Sequence, residues 1–123
     1  MALDLSKIPA VELPKRDITV SLLGVKQTLT VSAYDDGISL DIADVAEAHP
    51  ESQERRVRKL LLMECAKLDE DTAERLIRYH REAVYDIINT VFELRNEFVK
   101  ARQEETEKAQ KNLTGEKSAD MPS

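Results

Sequence analysis

The sequence predicts a small α+β domain that is mainly helical, with one N-terminal β-hairpin and a long C-terminal helix. Between residues 18 and 33, apolar and polar residues alternate, which is the period of a half-buried strand. From residue 50 to residue 100, apolar residues instead recur every three or four positions, as on one face of a helix. The 123 residues suffice for one domain with a core of its own.

Composition restricts the class of protein. The single cysteine, Cys65, cannot form an internal disulfide, and no apolar run is long enough for a signal peptide or a membrane span. We therefore expect a cytoplasmic protein without membrane contact. With 18 Lys and Arg against 24 Asp and Glu, the net charge of −6 argues against binding to a nucleic-acid backbone.

The N-terminal part divides into an arm and a hairpin. Residues 1–16 contain Pro9 and Pro14 without a regular period, which predicts an extended arm that docks on another surface. Residues 17–34 predict the hairpin, because β-branched residues at period two lie on both sides of Gly24. Its apolar positions are Ile18, Val20, Leu22, Leu29, Val31 and Ala33.

The segment after the hairpin allows two interpretations. Residues 35–37 predict a turn, because Asp and Gly favour turn conformations. The apolar residues over 38–48 alternate as in a third strand, yet they also fit one face of a helix. We favour a short helix over residues 41–48, since its alanines are good helix formers and its acidic residues would face solvent.

Two amphipathic helices are predicted next, over residues 50–67 and 70–79. Pro50 suits the first position of the former, where its missing N–H costs nothing. Asp69 is a suitable N-cap for the latter. A break over residues 79–81 separates it from the last helix.

The strongest helical pattern covers residues 82–100, whose apolar stripe is broader than a coiled-coil seam. Residues 101–123 are charged and lack such a stripe. Their first part predicts a solvated helical extension supported by i,i+4 ion pairs, and from Leu113 onward we expect a disordered tail. A single domain therefore spans residues 17–100.

Residues for catalysis or ligand binding are sparse. His49 and His80 lack a matching nucleophile and are explained as helix-end residues, while Cys65 falls on an apolar helix face. The acidic residues 69–71 suit a helix N-terminus better than a cation site, and the three glycines are too far apart for a phosphate loop. We predict no catalytic residue, cofactor or metal, and hence no enzyme.

One basic cluster covers residues 55–59. Such a run can bind phosphates or an acidic partner. However, pairs of Glu51 with Arg55 and of Glu54 with Arg58 have the i,i+4 spacing that neutralises charge along a helix. A solvated face crossed by ion pairs is therefore the simpler interpretation.

The apolar stripe of the last helix carries more large side chains than one short hairpin and two small helices would cover. We therefore predict that part of it contacts a partner or a second copy of the chain. The predicted partner-binding residues are Val84, Ile87, Ile88, Val91, Phe92, Leu94, Phe98 and Val99.

Several stretches resemble the tail assembly chaperones of long-tailed, siphovirus-type bacteriophages. The resemblance rests on LDEDTAERLI over residues 68–77 and AVYDIINTVFEL over residues 83–94. The hairpin pattern and the helix junction AHPE at residues 48–51 are also similar, so the resemblance covers residues 17–99. Members of that family are likewise small, acidic and helical.

The resemblance implies a non-enzymatic role in the host cell cytoplasm. Such proteins coat the long, hydrophobic tape measure protein during tail assembly, help to bring tail tube subunits onto it, and are absent from the mature virion. Many also occur in a longer form made by ribosomal frameshifting, for which the codons of Lys111 and Asn112 are a candidate position. Self-association of the chain is compatible with this role.

Two other functions fit the same composition. A small DNA-associated regulator would use the basic face over residues 55–59. A structural head–tail connector would remain in the mature virion, whereas an assembly chaperone would leave it.

Overall fold

The computed structural model describes residues 12–120 except Leu23, with side chains up to Lys108. The predicted fold class is confirmed: the chain is mainly helical, with an N-terminal antiparallel hairpin and a long C-terminal helix. Among the helices described, none is long and apolar enough to cross a membrane. The elements are β1 (Lys15–Leu22), β2 (Val25–Ser32), α1 (Asp36–Ala48), α2 (Gln53–Cys65), α3 (Glu70–Tyr79) and α4 (Arg81–Asp120).

The hairpin is formed by antiparallel pairing of β1 with β2, in a register that joins Lys15 to Ser32 and Leu22 to Val25. It begins and ends two residues before the predicted limits. The last two residues of the predicted arm therefore belong to β1. Residues 1–11 of that arm lie outside the described residues.

The two faces of the hairpin differ in polarity, as the alternating sequence predicts. Val20 and Val31 are buried against the helices. On the opposite face, the Thr30 hydroxyl donates a 2.6 Å hydrogen bond to Asp17 Oδ1. Gly24 closes the turn with a φ of 79°, a conformation that residues with a Cβ rarely adopt.

Helix α1 begins five residues earlier than predicted, because Asp35 is its N-cap. The Asp35 carboxylate accepts a 2.8 Å hydrogen bond from the backbone N–H of Ile38. The predicted turn over residues 35–37 is therefore the cap and first turn of the helix. The alternative of a third strand over residues 38–48 is wrong.

The limits of α2 and α3 follow from local backbone conformation. α2 begins three residues after Pro50, which lies in the preceding turn, and it ends two residues before the predicted limit. Lys67 then adopts a φ of 56°, which redirects the chain. α3 has the predicted limits, and its N-cap Asp69 accepts a 2.7 Å hydrogen bond from the backbone N–H of Thr72. His80 alone separates α3 from α4, at the predicted break.

The core lies where one face of α4 meets the hairpin, α2 and α3. At its centre, Ile87, Val91 and Leu94 are at most 2% exposed. Burial of each such side chain contributes about 1.5–3 kcal/mol. α1 differs from the other helices, because none of its residues is fully buried. The main side chains packed around the centre are Val20, Val31, Leu61, Leu62, Cys65, Leu76 and Val84.

Helix α4 continues through the helical extension predicted after residue 100 and beyond it. Its backbone is helical to Asp120, which includes residues from Leu113 onward that we expected to be disordered. Residues 121–123 lie outside the described residues. The side chains over residues 101–108 are exposed, as expected for a solvated extension.

Two arginines of α4 hold the start of α1 through one carboxylate, and we call Arg95, Arg102 and Asp36 the arginine clamp. Arg95 donates 3.0 Å hydrogen bonds to the Tyr34 carbonyl and to Asp36 Oδ1. Arg102 Nη1 contacts Asp36 Oδ2 at 2.6 Å. Hydrogen bonds from Arg102 and then Arg95 lower the pKa of Asp36 below its ordinary value.

Arg95 also packs as a flat side chain between aromatic rings. Its guanidinium carbon lies 4.7 Å from the ring centroid of Tyr34 and 5.4 Å from that of Phe98. The Arg95 side chain is only 13% exposed, against 46% for Arg102. Arg95 is therefore the stronger member of the clamp.

We expect Arg95→Ala to lower the free energy of unfolding by about 1–3 kcal/mol, because it removes a half-buried hydrogen bond, an ion pair and two ring contacts. Arg102→Ala should cost less, about 0–1 kcal/mol, because its ion pair is solvated. Urea denaturation of the two variants and the parent measures the difference. Equal costs for the two substitutions would contradict the ranking.

Candidate functional site

The eight residues predicted to bind a partner lie at different depths along α4. Phe92 is 43% exposed, whereas Phe98 and Val99 are half-buried. The other five are covered by the hairpin, α2 and α3, so the expected surplus of exposed apolar side chains is wrong for them. These buried residues are Val84, Ile87, Ile88, Val91 and Leu94.

Phe92 is the most open of the three that remain. The ring of Phe98 is covered by the guanidinium groups of Arg95 and Arg102, whose central carbons lie 5.4 and 5.1 Å from its centroid. The rings of Phe92 and Tyr34 form a T-shaped pair, with centroids 6.2 Å apart and planes at 89°. Phe92 also lines a groove between three helices.

This groove, which we call the α1–α2–α4 groove, has a volume of about 600 Å³. Its floor is formed by Leu61 of α2 and Ile88 of α4, both of which belong to the core. Ile42, Val57 and Phe92 supply apolar walls from the three helices. An apolar concavity with a polar rim is the usual form of a binding site in proteins.

The rim of the groove carries a stacked group of charged and aromatic residues. The ring of Tyr85 lies 5.1 Å from the guanidinium carbon of Arg58 and 5.2 Å from that of Arg81. Arg81 Nε donates a 2.8 Å hydrogen bond to the Tyr85 hydroxyl, and Arg58 forms an ion pair with Glu54. These contacts fix the side chains of the rim before any ligand binds.

Of the ten residues that line this groove, only Ile88 and Phe92 are among the residues predicted from the sequence to bind a partner. Ile42 lies in the segment over residues 38–48 whose apolar residues fit one helix face, and Val57 and Leu61 lie in the amphipathic helix predicted over residues 50–67, but neither pattern brings the two segments together. The signal that was available is the i,i+3/i+4 spacing of Tyr85, Ile88 and Phe92, which places them on one side of α4. The walls from α1 and α2 depend on the relative positions of three helices in space. The spacing of residues within one helix does not predict those positions.

The basic cluster over residues 55–59 is largely paired, although not entirely as predicted. Glu54 pairs with Arg58 as expected. Arg55 reaches across to Glu74 of α3, with 2.6 Å between Nη2 and Oε2, and not to Glu51. Lys59 Nζ lies 3.3 Å from the same carboxylate. Hydrogen bonds from Arg55 and then Lys59 lower the pKa of Glu74 below its ordinary value.

We expect Glu74→Gln to be less stable than the parent at pH 7, with the difference shrinking as the pH falls below about 4. A carboxyl group whose pKa is lower in the folded chain stabilises the fold above its unfolded pKa, and this contribution disappears once acid protonates it. The midpoints of urea denaturation of the variant and the parent at pH 7 and pH 3 measure this contribution. Glu105→Gln, on the exposed extension, is the control. A Glu74→Gln difference that persists undiminished at pH 3 would refute the assignment.

The residues considered for chemistry occupy structural positions. The backbone N–H groups of His49 and His80 donate to the carbonyls of Val45 and Leu76, at 3.0 and 2.8 Å, so both histidines cap helix ends. Burial raises the pKa of the Cys65 thiol to about 11. Over the part of the chain whose side chains are described, no group of three His, Cys, Asp or Glu residues could hold a metal ion.

We expect Cys65 to react slowly with a thiol reagent such as DTNB at pH 8 while the chain is folded, and rapidly in 6–8 M urea. A buried thiol with a raised pKa supplies little thiolate, which is the nucleophilic form. The absorbance of the released thiolate measures both rates. Similar rates with and without urea would contradict the prediction, because they would show that the Cys65 thiol is accessible in the folded chain.

No family model, no curated protein and no solved structure matches the chain.

Proposed function

We propose that the protein is a tail assembly chaperone of a long-tailed phage. In this role it binds the tape measure protein, keeps it soluble and helps to recruit tail tube subunits, without entering the mature virion. The observation that carries the proposal is the α1–α2–α4 groove, an open apolar concavity with Phe92 at its edge. The resemblance over residues 17–99 supplies the identity of the client, and the groove supplies a place for one of its helices.

The dimensions of the groove suit a short contact. The α4 residues that line it run from Tyr85 to Phe92, a rise of about 10 Å, or two turns of helix. Two or three large client side chains can enter, each worth about 1.5–3 kcal/mol when removed from water. Association itself costs at least about 4 kcal/mol, so one such contact is weak.

Weak contacts are sufficient for a chaperone that binds a long client at many positions. When several copies lie along one chain, or associate with one another, avidity raises the overall affinity without a stronger single site. A net charge of −6 keeps such a complex soluble. The helical end of α4 after residue 100 can carry a second module in a frameshifted form.

The proposal predicts that co-expression raises the soluble yield of the tape measure protein and that the two proteins co-purify. Asn89→Arg should reduce both effects several-fold, because it places a charge in the groove without removing a core contact. Phe92→Ser should act in the same direction. Val25→Ser, at an exposed apolar residue at the start of β2, is the matched control and should leave both the soluble yield and the co-purification unchanged.

Two failures can be told apart. If the parent chain neither raises the soluble yield nor co-purifies, the chaperone role is refuted. If it does both and the two groove variants behave like the control, the role stands and the groove is not the client site. Mass spectrometry of mature particles separates a chaperone from a connector, because a connector remains in the particle.

A further inference from the structure

The charges of the chain are unevenly distributed. Between residues 27 and 54 there are seven acidic residues and no lysine or arginine. α1 lies at the centre of this stretch and contributes Asp36, Asp41, Asp44 and Glu47. The surface around α1 is therefore more acidic than the net charge of the chain suggests.

The cations of other helices reach only the ends of this stretch. Arg95 and Arg102 hold Asp36, and Arg58 holds Glu54. Among the side chains that the structure describes, no Lys or Arg nitrogen lies within 4.0 Å of a carboxylate of Asp41, Asp44 or Glu47. Within the described side chains, these three carboxylates are therefore not neutralised by a direct ion pair.

α1 presents two different faces. Ile38 and Ile42 are half-buried and pack on the core, whereas Leu40, about half a turn away from both, is 68% exposed. Ala43 lies beside Leu40, one turn along the helix, and is also exposed. We call Leu40, Asp41, Ala43, Asp44 and Glu47 the acidic face of α1.

The acidic face is electrostatically unfavourable in the isolated chain. Asp41, Asp44 and Glu47 follow one another at i,i+3 spacing, where like charges repel. The last turn of α1 carries no basic residue, so Glu47 faces the negative end of the helix dipole. Both costs would be removed by cations that approach from outside the chain.

We propose that the acidic face of α1 docks a cationic amphipathic helix of another polypeptide. Leu40 and Ala43 receive an apolar side chain, and lysines or arginines along one flank of the docked helix pair with the three carboxylates, which lie level with Leu40 and to one side of it on α1. The short side chain of Ala43 lets the two helices approach closely. This surface lies on the side of α1 opposite Ile42 and the groove, and the inference does not depend on the proposed client.

A designed helical peptide tests the inference directly. The probe has 14 residues, with Leu at i, i+3, i+4 and i+7 and Lys elsewhere, and its binding to the full chain is measured by fluorescence anisotropy at low and high salt. A matched peptide with Glu in place of Lys is the control probe. We expect the Lys peptide to bind, its affinity to fall with salt, and the Glu peptide not to bind.

Variants of the chain locate the contact. Leu40→Ser should weaken binding of the Lys peptide about tenfold or more, as should the triple variant Asp41→Asn, Asp44→Asn, Glu47→Gln. The charge-matched control is the triple variant Glu104→Gln, Glu105→Gln, Glu107→Gln on the exposed extension of α4, which should bind like the parent. Circular dichroism checks that each variant keeps its helices.

Three results would overturn the inference. The first is the absence of binding at low salt. The second is an equal loss of affinity in the two triple variants, which would mean that only net charge matters. The third is a loss of peptide binding in Asn89→Arg with none in Leu40→Ser, which would place the peptide in the groove.

Discussion

The burial of one face of α4 is the constraint on which the rest of the structure depends. A two-stranded hairpin is marginal by itself, and helices of 10 to 13 residues are unstable alone in water. Each therefore needs an apolar surface to cover, and α4 offers Ile87, Val91 and Leu94 to the hairpin, α2 and α3 together. Because these elements contact one shared helix, loss of that face would release all of them at once.

The attachment of α1 follows a different principle. It contributes no fully buried residue, so its position depends on half-buried apolar contacts with α2 and on the arginine clamp at its first turn. This looser packing has two consequences for the surface. One side of α1 forms a wall of the groove, and the opposite side leaves Leu40 exposed among carboxylates. Both proposed contact surfaces therefore exist because α1 packs on the outside of the core and buries none of its residues fully.

Periodicity in the sequence was sufficient to predict much of the core and the type of every described element except α1, for which helix propensity had to decide between strand and helix. Burial of Val20 and Val31 follows from alternation in the hairpin, and burial of one face of the helices over residues 50–67 and 70–79 follows from their amphipathic pattern. Asp69 was recognised as an N-cap because an acidic first turn follows it. The prediction of a turn at Asp35 was wrong, because Asp is common both in turns and at helix N-caps. Which of the two forms depends on whether a helix follows. The pairing of Arg55 with Glu74 could not be predicted, because it joins two helices whose relative position is set by the core.

The apolar stripe of α4 illustrates why the candidate site was harder to predict than the fold. Ile88 and Phe92 are one turn apart and equally apolar by sequence, yet Ile88 is 8% exposed and Phe92 is 43% exposed. Ile88 belongs to the same buried cluster as Leu61 of α2, whereas Phe92 lies outside that cluster and pairs with the ring of Tyr34. Helical periodicity indicates which side of a helix is apolar, but it contains no information on where the covering elements stop. A contact surface on such a helix consists of the apolar residues that the neighbouring elements leave exposed. It can therefore be identified only once the packing of the core is known.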